Sequence, residues 1–92
     1  MTKFKVLVSE TARRQLGSLP PDMRTQIKRK LQKLEEDPYR ARPKVDIKKL
    51  KGPKKYYYRL RMGNYRAIYV IEGKKVMVAK ILPRSKVYDW IE

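Results

Sequence analysis

The chain has 92 residues, enough for one domain (residues 1–92) with a modest core. Its 25 Lys and Arg against 9 Asp and Glu give a formal net charge of +16, while a hydrophobic fraction of 41% argues for a folded core rather than disorder. It contains no Cys and no His, which excludes disulfides, thiolate metal sites and histidine acid–base chemistry.

The charge is also local. From Lys48 to Lys86 there are thirteen basic residues and a single acid, Glu72. Such a surface draws polyanions from a distance, so nucleic acid is the first partner to expect and an acidic protein the second. A membrane surface fits poorly, because no stretch sets an apolar face opposite a basic one. No run approaches a membrane span and Phe4–Val8 is broken by Lys5, so a cytoplasmic location is expected.

In chain order, Phe4, Val6 and Val8 alternate as in a strand. Ser9 reads as an N-cap, followed by a short helix from about Glu10 with Ala12, Leu16 and Leu19 on one face. Pro20 and Pro21 end it, and Pro21 suits the first turn of a second helix over about Asp22–Glu36, striped by Met23, Ile27, Leu31 and Leu34. Pro38 stops that helix. Arg40–Lys55 reads as a loop with a short extended piece around Val45–Leu50. Tyr56–Arg61, Tyr65–Glu72 and Val76–Leu82 are β-rich runs separated by Gly63-Asn64 and Gly73-Lys74. The expected fold is α+β: an N-terminal strand, a helical hairpin and a three-stranded antiparallel meander (β-α-α-β-β-β), with the helices packed on one face of the sheet.

Period-two alternation then sorts the strand residues. Leu60, Ala67, Tyr69 and Ile71 are assigned to the helices, with Tyr58 and Tyr69 in the core. Arg59, Arg61 and Arg66 are left on the open face, where guanidinium groups suit phosphate. Solvated arginines on an exposed sheet face are the bland alternative, and their number with so few acids weighs against it. Tyr56, Tyr57 and Tyr65 divide between stacking platforms for bases and cross-strand packing. The Lys-dense LKGPKK segment places Lys49, Lys51, Lys54 and Lys55 as candidate RNA contacts, or as an ordinary solvated loop. The glycines form no phosphate-cradling loop and the carboxylates have no metal-ligand spacing, so no cofactor is expected.

The run LKG…YYYRLRMGNYRAIYVI followed by PRSKVY resembles the RelE/ParE superfamily of toxin–antitoxin toxins, and within it the RelE branch with its archaeal members. The resemblance implies a ribosome-dependent mRNA endonuclease. The ribose 2′-OH of the A-site codon attacks the adjacent phosphate without metal and leaves a 2′,3′-cyclic phosphate, which stops translation. By motif position Arg66 and Arg84 match active-site arginines, and Tyr88 matches a tail tyrosine proposed to assist proton transfer. Arg59 and Arg61 stand where RelE has catalytic lysines. Arginine does not serve as a base at neutral pH. The proton acceptor therefore stays open among Tyr88, Lys54 and Lys55, and Tyr88 also has a reading as a tail-docking residue beside Trp90 and Ile91. The resemblance further implies a RelB-like antitoxin with an acidic contact surface, besides the ribosome and mRNA. Two other functions remain: a ParE-like inhibitor of DNA gyrase without nuclease activity, and a catalytically silent RNA-binding domain.

Overall fold

In a computed structural model, which describes residues 3–87, the elements run β1 (Lys5–Val8), α1 (Glu10–Gly17), α2 (Pro21–Gln32), a 3-10 turn (Lys33–Glu35), β2 (Ile47–Lys51), β3 (Tyr56–Met62), β4 (Tyr65–Glu72), β5 (Lys75–Pro83) and a 3-10 turn (Arg84–Lys86). The strands form one sheet in the order β1-β5-β4-β3-β2. The helical hairpin and the β3-β4-β5 meander match the sequence reading. Two features go beyond it. The extended piece in the Arg40–Lys55 loop is a full strand, β2, antiparallel to β3. The sheet is mixed rather than wholly antiparallel, because β1 pairs parallel to β5 from Lys5↔Lys75 to Val8↔Val78.

Local chemistry sets these elements. The Ser9 hydroxyl accepts from Ala12 N at 3.0 Å and so caps α1. The same hydroxyl donates to the Ala79 carbonyl at 2.7 Å. Ala79 is the extra residue of a β-bulge, since Ile68 pairs with Lys80 and Tyr69 with Val78. One side chain thus caps a helix and satisfies a carbonyl that the ladder leaves out. Pro21 opens α2, as its fixed φ and missing N–H favour. Gly63 (φ +66°) and Gly73 (φ +59°) take the first positions of the two-residue loops joining β3 to β4 and β4 to β5, a place that favours glycine.

The core lies between the helices and one face of the sheet. Ala12, Leu16, Ile27, Leu31 and Leu34 meet Leu60, Met62, Ala67, Tyr69, Val76, Val78 and Ile81. Tyr69 is fully buried and donates to the Pro38 carbonyl at 2.7 Å. Its ring stacks on Tyr58 at 5.6 Å, and Tyr58 meets Tyr39 edge-on at 5.8 Å. A smaller apolar cluster on the opposite face joins Leu50, Ile68 and Val87, with Tyr57 and Leu82 packed against it. No helix among the described residues is long and apolar enough to cross a membrane.

Burial holds the Tyr69 phenol neutral, raising its pKa above the usual tyrosine value, with the nearby Tyr58 adding to the effect. The unfolded chain releases that proton near pH 10, whereas the folded chain keeps it to higher pH. The contribution of Tyr69 is therefore complete below pH ~10 and falls as pH rises above it. Tyr69→Phe leaves the Pro38 carbonyl without its donor and should cost about 1–3 kcal/mol at neutral pH. Urea denaturation from pH 7 to 11 should show that cost narrowing at the alkaline end.

Candidate phosphate-binding site

The alternation that sends Leu60 and Ala67 into the core sends Arg59, Arg61 and Arg66 to the other face. Arg61 and Arg66 are register partners on adjacent strands. Arg84 arrives from the turn after β5. Its backbone N–H donates to the Asn64 carbonyl at 2.9 Å, so the β3–β4 turn fixes its position. The same turn holds Arg66, whose Nη1 donates to the Gly63 carbonyl at 2.8 Å and to the Tyr65 carbonyl at 2.9 Å. Arg59, Arg61, Arg66 and Arg84 line one cavity of about 310 Å³, floored by Leu50 and Val87.

The wall also holds an acid. Asp46 immediately precedes β2, and its carboxylate lies 3.2 Å from Arg59 Nη1 and 3.9 Å from Arg61 Nη1. Its backbone carbonyl accepts from the Arg61 N–H at 2.9 Å. Arg59 is largely covered as a result, whereas the Arg61 side chain is 55% exposed. Burial, then the charges of Arg59, Arg61 and Arg84, lower the Arg66 pKa from the usual arginine value, and Asp46 pulls it back. The site is therefore a concentrated positive field with one internal counter-charge. Rigid guanidinium forks in that setting suit a phosphate or a developing phosphorane.

Sequence reasoning missed Asp46. The one available signal was that it is the last acid before a long basic stretch. It missed the neighbouring Lys48 too. Lys48 is the register partner of Arg59 and shares its face, whereas Lys49 and Lys51 pair with Tyr58 and Tyr56 and turn to the helix side. Lys49 Nζ lies 4.2 Å from the centre of the exposed Tyr56 ring. Lys54 and Lys55 occupy the β2–β3 turn, with Lys55 Nζ 5.7 Å from the Tyr57 ring centre. The four lysines are thus not gathered into the arginine cavity. Gly52 in this segment has a physical reason, since a Cβ there would meet the Tyr57 ring at 2.7 Å and the Lys55 carbonyl at 2.8 Å. Of the divided tyrosines, Tyr57 packs beside Leu50 and Ile68 on the arginine face, and Tyr65 packs on the main core. Tyr88 lies outside the described residues.

Residues 6–88 match the family model described as the ParE toxin of the type II toxin–antitoxin system parDE. The chain belongs to the RelE/ParE superfamily of toxins. Toxin RelE3 of Methanocaldococcus jannaschii is 34% identical over 87 residues, covering 95% of this chain and 98% of that protein. Among solved structures, the archaeal RelE–RelB complex from Pyrococcus horikoshii OT3 superposes with a TM-score of 0.77 at 29% identity, covering 94% of this chain and 100% of that one. The RelB–RelE antitoxin–toxin complex from Methanococcus jannaschii gives 0.70 at 30% identity, covering 94% and 99%. The RelE/ParE toxin fold thus extends through the whole helical hairpin and sheet.

Asp46 competes with an incoming anion for Arg59 and Arg61. Asp46→Ala should tighten pyrophosphate binding by roughly fivefold at low ionic strength, the equivalent of ~1 kcal/mol. Calorimetric titration measures this, and the gain should shrink as salt is added.

Proposed function

We propose that this toxin is a ribosome-dependent mRNA endonuclease that cleaves the A-site codon. The observation that carries the reading is the convergence of Arg59, Arg61, Arg66 and Arg84 on one cavity. The 2′-oxygen of the codon ribose bonds to the adjacent phosphorus as the bond from phosphorus to the 5′-oxygen breaks. The products are a 2′,3′-cyclic phosphate and a 5′-hydroxyl. This displacement requires in-line placement of the reacting oxygens and neutralisation of charge building on the phosphoryl oxygens. Arg66, pinned by two carbonyls through one nitrogen, presents its remaining N–H groups to that charge, and Arg84, which lines the same cavity, adds a second guanidinium. Arg59 and Arg61 hold the phosphate against the sheet. The need for a 2′-OH restricts the substrate to RNA. Lys54 and Lys55 stand outside the arginine cavity, so the proton acceptor is sought in Tyr88.

The antitoxin is expected to be RelB-like and to lay acidic side chains over the arginines. The complexes of similar RelE proteins with RelB support an antitoxin partner, and the cationic face motivates its acidic contacts. Translating ribosomes place the activity in the cytoplasm. A second reading, inhibition of DNA gyrase, is favoured by the ParE description of the matching family model. The arginine cavity and the likeness to Toxin RelE3 weigh for the nuclease.

Primer extension on a programmed ribosome tests the choice. A new cut inside the A-site codon, absent on naked RNA and reduced at least ~100-fold in Arg66→Ala and Arg84→Ala, is expected if each arginine supplies about 3 kcal/mol in the transition state. Ribosome binding by both variants should change far less. Neutralising Lys49, Lys51, Lys54 and Lys55 should instead weaken binding and flatten its salt dependence. No cut at saturating protein would reject the nuclease and pass the question to a supercoiling assay.

A further inference from the structure

Beside the arginine cavity lies a second one of about 260 Å³, with Lys30, Lys44, Asp46, Arg61 and Gly63 among its lining residues. The two share Asp46 and Arg61, so they are neighbouring basins of one cationic groove. A tight turn builds the second basin. Arg42 N donates to the Val45 carbonyl at 2.9 Å and Val45 N to the Arg42 carbonyl at 2.8 Å. Between them Pro43 is followed by Lys44 at φ +67°, a left-handed position where glycine is the usual residue. Lys30 Nζ crosses from α2 to hold the Lys44 carbonyl at 2.5 Å. A long cationic side chain therefore occupies a position where its backbone is strained.

The donors in this basin are not equally committed. The Arg42 guanidinium is spent on the carbonyls of Lys33, Asp37 and Arg40. Lys30 keeps two of its three N–H groups, the Lys44 residue is exposed, and Arg61 forms the shared wall. Asp46 is the acid among the lining residues, and its carboxylate already faces Arg59 and Arg61. Ammonium groups of this kind attract phosphate as point charges without reading bases.

We propose that this second basin holds the phosphodiester adjacent to the one gripped in the arginine cavity, so that a single RNA strand passes Asp46 with one phosphate on each side. The proposal rests on the RNA-cleavage reading above. Asp46 repels a phosphate placed at the boundary and attracts none. Two attractive basins separated by a negative charge set the register of the backbone, and with it which phosphate reaches the four arginines. The subsite is indifferent to base identity.

The test uses two uncleavable probes without terminal phosphates: a 2′-O-methyl dinucleotide with one phosphodiester and a 2′-O-methyl trinucleotide with two. Binding to the free protein is followed by NMR titration at low salt. The wild-type protein should bind the trinucleotide about tenfold more tightly or better, as a charge-assisted phosphate contact allows. Its salt slope should be steeper by about 0.7. The length-dependent gain and the extra slope should disappear in K44G and K44N. Glycine relieves the left-handed backbone and asparagine tolerates it, so a lost gain reports the missing charge and not unfolding. Equal affinity for the two probes, or a gain that both variants keep, overturns the subsite and leaves the arginine cavity standing. Failure of both probes to bind overturns the subsite on the free protein and leaves the RNA-cleavage reading to the primer-extension assay.

Discussion

The arginine face depends on strand register. In β3 and β4 each arginine is flanked by a residue that the core requires: Leu60 lies between Arg59 and Arg61, and Ala67 follows Arg66. Moving either strand by one position would send guanidinium groups under the helices and Leu60 or Ala67 into water. Burying an unpaired charge costs several kcal/mol, so the hydrophobic core selects the register and the register places the charges. The fully buried Tyr69 reinforces it from the core side through its hydrogen bond to Pro38.

Crowded like charges oppose folding, and the chain answers locally. Asp46 neutralises part of the field at Arg59 and Arg61, and backbone carbonyls at Gly63 and Tyr65 take one nitrogen of Arg66. Burial, together with what remains of that field, lowers the Arg66 pKa. Such a field has its counterpart in an external anion, and binding that anion stabilises the fold by mass action. On the reading proposed above, phosphate affinity and the like-charge repulsion within the free toxin have one source.

Much of this was readable from the residues. Alternation identified the meander and its two faces, Ser9 announced the first helix, and Gly63-Asn64 and Gly73-Lys74 marked the turns. The hidden parts are those with no local signal. Lys-rich β2 is an edge strand with only Ile47 and Leu50 buried, so its pattern is barely periodic. The parallel pairing of β1 with β5 joins segments at opposite ends of the chain, and no local pattern encodes it. Asp46 stood in a loop, and its position against Arg59 follows from where β2 begins. Reading lysines by density alone grouped Lys49 and Lys51, whereas the pleat gives Lys48 to the arginine face.

The pairing of β1 with β5 also bears on how the protein comes into being. Lys5 waits for Lys75, so β1 finds its neighbour only after the helical hairpin and β2 to β4 have been synthesised. Contacts of that sequence separation are slow to form, because the intervening loop must close before they stabilise anything. Arg84 lies just past the strand that completes the sheet, and its anchor is the β3–β4 turn. A chain that has folded only as far as the β3–β4 hairpin therefore carries its other three arginines with one cavity wall missing. The cavity is complete only once Arg84 has followed β5 into place against the β3–β4 turn.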